Sequence, residues 1–199
     1  MTSSNETKTT LAQILQQLSQ QYLNQYQQVH AHLPIIDHDD EWPSPCEVDN
    51  EEGDNVLANG QVFWRPVDIT DTDQLTFNNV ESVLGITLHL DIKSYFTSLY
   101  SESLDMSCQE GALSLLFAWN KDDFDRLQEN VIGHILMKQR LKQKITVFFA
   151  VTDEEDMIIS IDNDYGSVWV ERVGCEPHKK LADSLTDFLS ELSPSVHSA

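Results

Sequence analysis

Five possible metal ligands fall within one short stretch: His30, His32, Asp37, His38 and Asp39. Mixed imidazole and carboxylate ligands suit zinc, and a metal there would make the segment a hydrolytic centre. The spacing matches no mechanism-bearing motif, however, and Pro34 interrupts the series, so solvated loop residues are the simpler expectation. Nucleophilic catalysis needs a Ser or Cys beside a His that a carboxylate orients, and the chain holds no G-x-S-x-G. His134 borders the apolar stripe of a long predicted helix, a place for a hydrogen-bonded structural histidine rather than a base. Glu129 and His134 are five residues apart rather than four, so they do not form the zinc-protease helix. The seven glycines occur singly, which leaves no phosphate-cradling loop. No enzyme chemistry, metal or cofactor is expected.

Charge says more. The 199 residues carry 12 Lys+Arg against 33 Asp+Glu, a formal net charge of −21, and the sequence pI is about 4.4. With so many acids, chance carboxylate pairs are expected and signify no glycosidase. A phosphate-backbone binder needs a basic face, and anionic lipid would repel this chain. A basic partner is the expectation. Residues 37–110 hold 17 acids and only Arg65 and Lys93, and residues 153–199 hold 11 acids against three bases. Trp42, Phe63, Trp64, Tyr95, Phe96, Tyr100 and Trp169 interleave with these acids. Any left at the rim of an acidic groove could accept Lys or Arg over a ring face; the plainer alternative is acidity for solubility alone.

The elements that must position these groups are readable. Hydrophobic residues make up 40 %, enough for a core despite the charge. Leu11, Leu15, Leu18, Tyr22, Tyr26 and Val29 recur at helical spacing in a Gln-rich helix that ends at His30 and begins at about residue 7. A loop-rich acidic passage spans about 32–60, with Pro43 and Pro45 forcing an extended path. A strand is expected at 62–67, a weak helix at 71–84 closed by Gly85, a strand at 86–90 and a buried strand at 113–119; 91–100 fits either a helix or an extended segment. Asn120 caps a helix of about 121–142, with Asp122, Asp123 and Asp125 at its start and Lys138, Arg140, Lys142 and Lys144 at its end, both complementing its dipole. Strands at 145–151, 157–161 and 167–173 make an antiparallel meander, and a last helix runs from about 178 to 192. The fold class is α+β in a single domain over 1–199: a mostly antiparallel sheet flanked by helices, with one long central helix.

The block from Trp119 to Lys142, with Gln128-Glu-Asn-Val-Ile-Gly-His134 at its centre, resembles the central helix of the Syd family. Pro43-Ser-Pro-Cys46, Val62-Phe-Trp-Arg-Pro66 and the helix bearing Leu181, Phe188 and Leu189 are similar too, in the same order. The resemblance implies a SUKH-superfamily fold and a SecY-interacting protein, loosely attached to the cytoplasmic side of the bacterial inner membrane. The acidic stretch 47–56 and the Gln-rich first helix depart from the family pattern.

Three cysteines, Cys46, Cys108 and Cys175, without a C-x-x-C pair read as reduced thiols of a cytoplasmic protein. No apolar run nears the ~20 residues of a membrane span, and the N-terminus lacks the apolar core of a signal peptide. Together with the family resemblance, which implies SecY as partner and a concave electronegative surface, the expectation is a non-enzymatic regulator that binds the basic cytosolic loops of SecY. It would sequester or restrain surplus or improperly assembled channel, touching the membrane only through SecY and binding no nucleic acid. Candidate charged contacts are Glu81, Asp105, Glu110, Asp122, Asp123, Asp162 and Asp164, with Tyr95 and Phe96 as anchors. For Asp122 and Asp123, stabilisation of the helix start is the stronger expectation. The alternative is a SUKH-type immunity protein that masks a basic nuclease toxin, since a negative face can imitate nucleic acid.

Overall fold

Thr10 and Gln13 exchange side-chain and backbone hydrogen bonds in a capping box that starts helix α1 (Leu11–His30). A computed structural model describes residues 10–49, 56–70 and 75–197, so the expected helical residues 7–9 lie outside it. Leu11, Ile14, Leu15, Leu18 and Tyr22 are buried at helical spacing. Val29, expected on the same stripe, is 41 % exposed, because the helix outruns the core. Of the passage 32–60, residues 50–55 lie outside the described set, and the described part contains strands β1 (Ile35–Asp37) and β2 (Glu47–Val48) where a loop was expected. Both pair antiparallel with β3 (Gln61–Trp64).

Pro66 ends β3 early, and the chain resumes as β4 (Val67–Asp68). Helix α2 (Asn78–Leu84) starts later than expected and closes on Gly85 in the left-handed region, φ +65°; residues 71–74 lie outside the described set. The strand expected at 86–90 is absent. His89 instead accepts the Asp91 N–H and caps α3 (Leu90–Phe96). Asn163 replaces a strand partner there, accepting from His89 N–H at 2.9 Å and donating to Thr87 O at 3.0 Å. Short β5 (Leu99–Tyr100) pairs with β4.

The main sheet begins with the hairpin β6 (Leu104–Cys108) and β7 (Gly111–Leu115). Helix α4 (Lys121–Leu141) follows, capped by Asn120 as expected and closed by Lys142 at φ +57°. The meander β8 (Thr146–Thr152), β9 (Met157–Asp162) and β10 (Val168–Arg172) is antiparallel throughout. The expected helix 178–192 is really two elements, edge strand β11 (Lys179–Ala182) and α5 (Leu185–Ser190), and strand β12 (Ser193–Pro194) follows. Ser184 caps the helix by accepting the Asp187 N–H, and this fixes its late start.

The seven strands order as β11-β10-β9-β8-β7-β6-β12. In a flat sheet β11 and β7 would lie roughly 19 Å apart. Lys179 of β11 nevertheless pairs with Glu110 in the β6–β7 turn, so the sheet curls into a half-barrel. One apolar cluster runs from Leu11 to Leu192 and ties helices and sheet together. Lys138, expected in the basic cluster that complements the dipole of α4, is wholly buried and paired with Glu171 of β10 at 2.7 Å.

Candidate binding surface

The arc between β1 and β2 is pinned to the start of α4. Asn120 Nδ2 donates to Pro43 O at 2.9 Å, and Ser44 Oγ donates to Trp119 O. Asp39 stabilises the arc locally, its carbonyl accepting from Trp42 N–H and its carboxylate from Glu41 N–H, both at 2.9 Å. These contacts open a cavity of about 320 Å³ walled by Ile36, Asp37, Asp39, Trp42, Glu47, Glu102, Trp119 and Asp123. Five of the eight walls are carboxylates, two are indoles and none is basic. Trp119 is held by an edge-on contact with Trp64, ring centroids 6.1 Å apart, and its backbone N–H donates to the Asp123 carboxylate at 2.9 Å. His38 sits behind the wall, 2.9 Å from Asp40 and 3.1 Å from Glu47. The hydrogen bond to Asp40, opposed by burial and helped by Glu47, raises the pKa of His38 above the ordinary imidazole value.

Two adjoining hollows lie along the curled sheet. The first, about 250 Å³, is bounded by Asp105, Ser114, Asp153 and His197 among others. The second, about 190 Å³, has Glu110, Asp153, Glu154 and Lys179 around a floor that includes Leu113, Ile159 and Leu181. They share Ala112, Leu113, Thr152 and Asp153, so carboxylates from both acidic parts of the chain meet there. Buried Tyr22 lies within electrostatic range of a carboxylate from each region, this one and the Trp42 hollow. Burial raises the pKa of its phenol, and the charges of Asp105 and Glu102 raise it further.

The expected contact residues divide. Asp123 walls the Trp42 hollow, and Asp105 and Glu110 wall the sheet hollows. Asp122 and Asp164 are exposed elsewhere, Asp122 in the first turn of α4. Glu81 closes the α2–α3 corner, accepting from Lys93 Nζ at 2.9 Å and Leu88 N–H at 2.8 Å. Asp162 is 2 % exposed and caps its turn by accepting the Asp164 and Tyr165 N–H groups. Tyr95 and Phe96 are corrected from surface anchors to core: both are fully buried, Tyr95 stacked on Phe117 and set edge-on to Phe149. Helical spacing turns them inward, and their proximity to acids in the chain does not alter that.

Asp37 and Asp39, weighed as metal ligands, face the Trp42 hollow instead. Among the described residues no group of three or more His, Cys, Asp or Glu could hold a metal. His134 bonds Thr146 within the interior, as a structural histidine should. All three cysteines are free, and burial pushes the Cys46 thiol up to about 12. Glu47, Glu102, Asp153 and Glu154 escaped notice singly, because a carboxylate in an acidic chain carries no local signal. The Asp37–Glu41 acid run abutting Trp42-Pro-Ser-Pro was the one visible mark of the hollow.

Comparison with known proteins adds a family. A model described as "Syd protein (SUKH-2)" matches residues 12–194. "Protein Syd" of Colwellia psychrerythraea is 54 % identical over 195 residues, covering 97 % of this chain and 96 % of that protein. The protein of the same name from Pseudoalteromonas atlantica is 38 % identical, covering 84 % and 87 %. That from Alteromonas mediterranea is 45 % identical, covering 78 % and 82 %.

Proposed function

This chain belongs to the Syd family, and from that premise we propose that it is a non-enzymatic binding protein for the basic cytosolic loops of the SecY translocation channel. In this role it restrains surplus or improperly assembled channel. The observation that carries the proposal is the Trp42 hollow, with five carboxylates and two indoles and no base in its wall. Cytoplasmic loops of inner-membrane proteins are enriched in Lys and Arg, so they are the complementary ligand. No helix among the described residues is long and apolar enough to cross a membrane. A chain of charge −21 is also repelled by anionic headgroups, so its partner brings it to the bilayer.

Capture of detergent-solubilised SecY by the immobilised protein tests this. Asp37→Lys combined with Asp39→Lys should lower capture at least about tenfold. The unfolding temperature should fall only modestly, since both side chains are exposed and the bonds lost are those from Glu41 N–H to Asp39 and from the Gln61 amide to Asp37. Capture should also weaken steeply between ~0.05 M and ~0.5 M salt, as the Debye length shrinks. Undiminished capture by the double variant, or capture indifferent to salt, overturns the proposal. Preference for a basic nuclease over SecY in the same assay would assign the surface to an immunity role instead.

A further inference from the structure

The Trp42 indole already carries a cation in the free protein: the guanidinium carbon of Arg126 lies 3.9 Å from its ring centroid. Arg126 follows Asp122 by four residues on α4, a spacing at which helices ordinarily form ion pairs. Lys121 and Asp125 do so one step earlier, at 3.3 Å. Yet no ion pair joins Arg126 to Asp122 or to any other described residue. In a chain with 33 acids and 12 bases, this guanidinium lies on an aromatic face instead of a carboxylate. A planar, weakly hydrated guanidinium suits such a face better than a compact ammonium does. The same indole walls the acidic hollow, where Asp37, Asp39 and Glu102 would meet the charge of a side chain entering from outside.

We propose that Trp42 is an arginine subsite of this hollow and that Arg126 occupies it until an arginine of the partner takes its place. The proposal rests on the hollow being the binding surface, and it adds a preference for arginine over lysine together with an internal competitor. Displacing Arg126 frees it to pair with Asp122, which offsets part of the lost stacking. The partner's guanidinium gains the carboxylates of the cavity, which Arg126 does not line.

The test is titration of the full chain with oligo-arginine and oligo-lysine peptides of equal length. The wild-type protein should bind oligo-arginine about three- to tenfold tighter. Arg126→Gln should tighten oligo-arginine by a similar factor. Its effect on oligo-lysine should match that of Arg140→Gln, which removes the same charge roughly 21 Å further along α4. Trp42→Leu should erase the preference, lowering affinity for oligo-arginine more than for oligo-lysine. If that variant fails to fold, Trp42→Phe, which keeps a weaker aromatic face, should reduce the preference instead. Equal affinity of the wild type for the two peptides overturns the proposal, as does an Arg126→Gln protein indistinguishable from Arg140→Gln. Failure of both peptides to bind overturns the acidic-surface proposal as well, so the two failures are separable.

Discussion

Lys138 and Glu171 are both wholly buried, and their surroundings leave neither charge alone. Glu171 accepts from Lys138 Nζ at 2.7 Å and Thr146 Oγ1 at 2.9 Å, and His134 Nε2 stands 3.5 Å from it. Lys138 donates a further bond to Cys175 O at 2.7 Å and so ties the chain after β10 to α4. Burial alone would raise the pKa of Glu171, but the bonds from His134, Lys138 and Thr146 outweigh it and hold the carboxyl below its ordinary value. The stability from this depression is fully present above the unfolded-state value of about 4.3 and is lost as pH falls through the lower folded-state value. Urea denaturation across that acid window should show the loss. Lys138→Met should cost about 3–5 kcal/mol by stranding a buried carboxylate, and adding Glu171→Met should restore much of it. For His38 the sign is opposite: its raised pKa gives stability that is present below about 6.5 and lost as pH climbs through the folded-state value.

Among the elements, α4 joins the core to the proposed binding surface. Its cap, Asn120, accepts the Asp123 N–H at 2.8 Å and also holds Pro43 O, so one side chain starts the helix and anchors the Trp42 arc. Asn120→Ala should cost about 1–2 kcal/mol for the cap, and it should weaken SecY capture beyond what the stability loss explains. The turn between β9 and β10 depends on Gly166, at φ +72°, where an added Cβ would come within 2.5 Å of the His89 ring. Gly166→Ala should therefore lower the melting temperature clearly, through both strain and the displaced ring that caps α3. The same Asn163–His89 linkage explains why the alternating residues 86–90 do not form a strand: their partners are side chains of a turn. Residues 179–182 show the converse. Their spacing fitted a helix, but the open edge of β10 offered a backbone ladder and the Ser184 cap delayed the helix.

At the scale of the whole molecule, the charge of −21 acts on folding and on binding in opposite senses. Self-repulsion of the carboxylates opposes the compact state, whereas attraction to a basic loop would favour the proposed complex. Added salt screens both. The melting temperature of the free protein should therefore rise with salt over the range in which SecY capture falls. A fall in both would show that capture tracks stability rather than complementarity. Pairing of β7 with β6 and β8 sets Asp105 and Glu110 beside Asp153 and Glu154 in adjoining hollows, and the curl of the sheet adds Lys179 at their rim.

The α1 stripe, the Asn120 cap, the antiparallel meander and the excess of acids followed from the sequence alone, because periodicity, caps and charge are local properties. The family resemblance lay equally open in the Trp119–Lys142 block. Tertiary structure alone decided which aromatic residues are core and which are walls, sending Tyr95 inward and leaving Trp42 half-buried. It also decided which carboxylates share a cavity. The walls of the Trp42 hollow come from residues 36–47, 102 and 119–123, and only packing of the arc against the start of α4 brings them together.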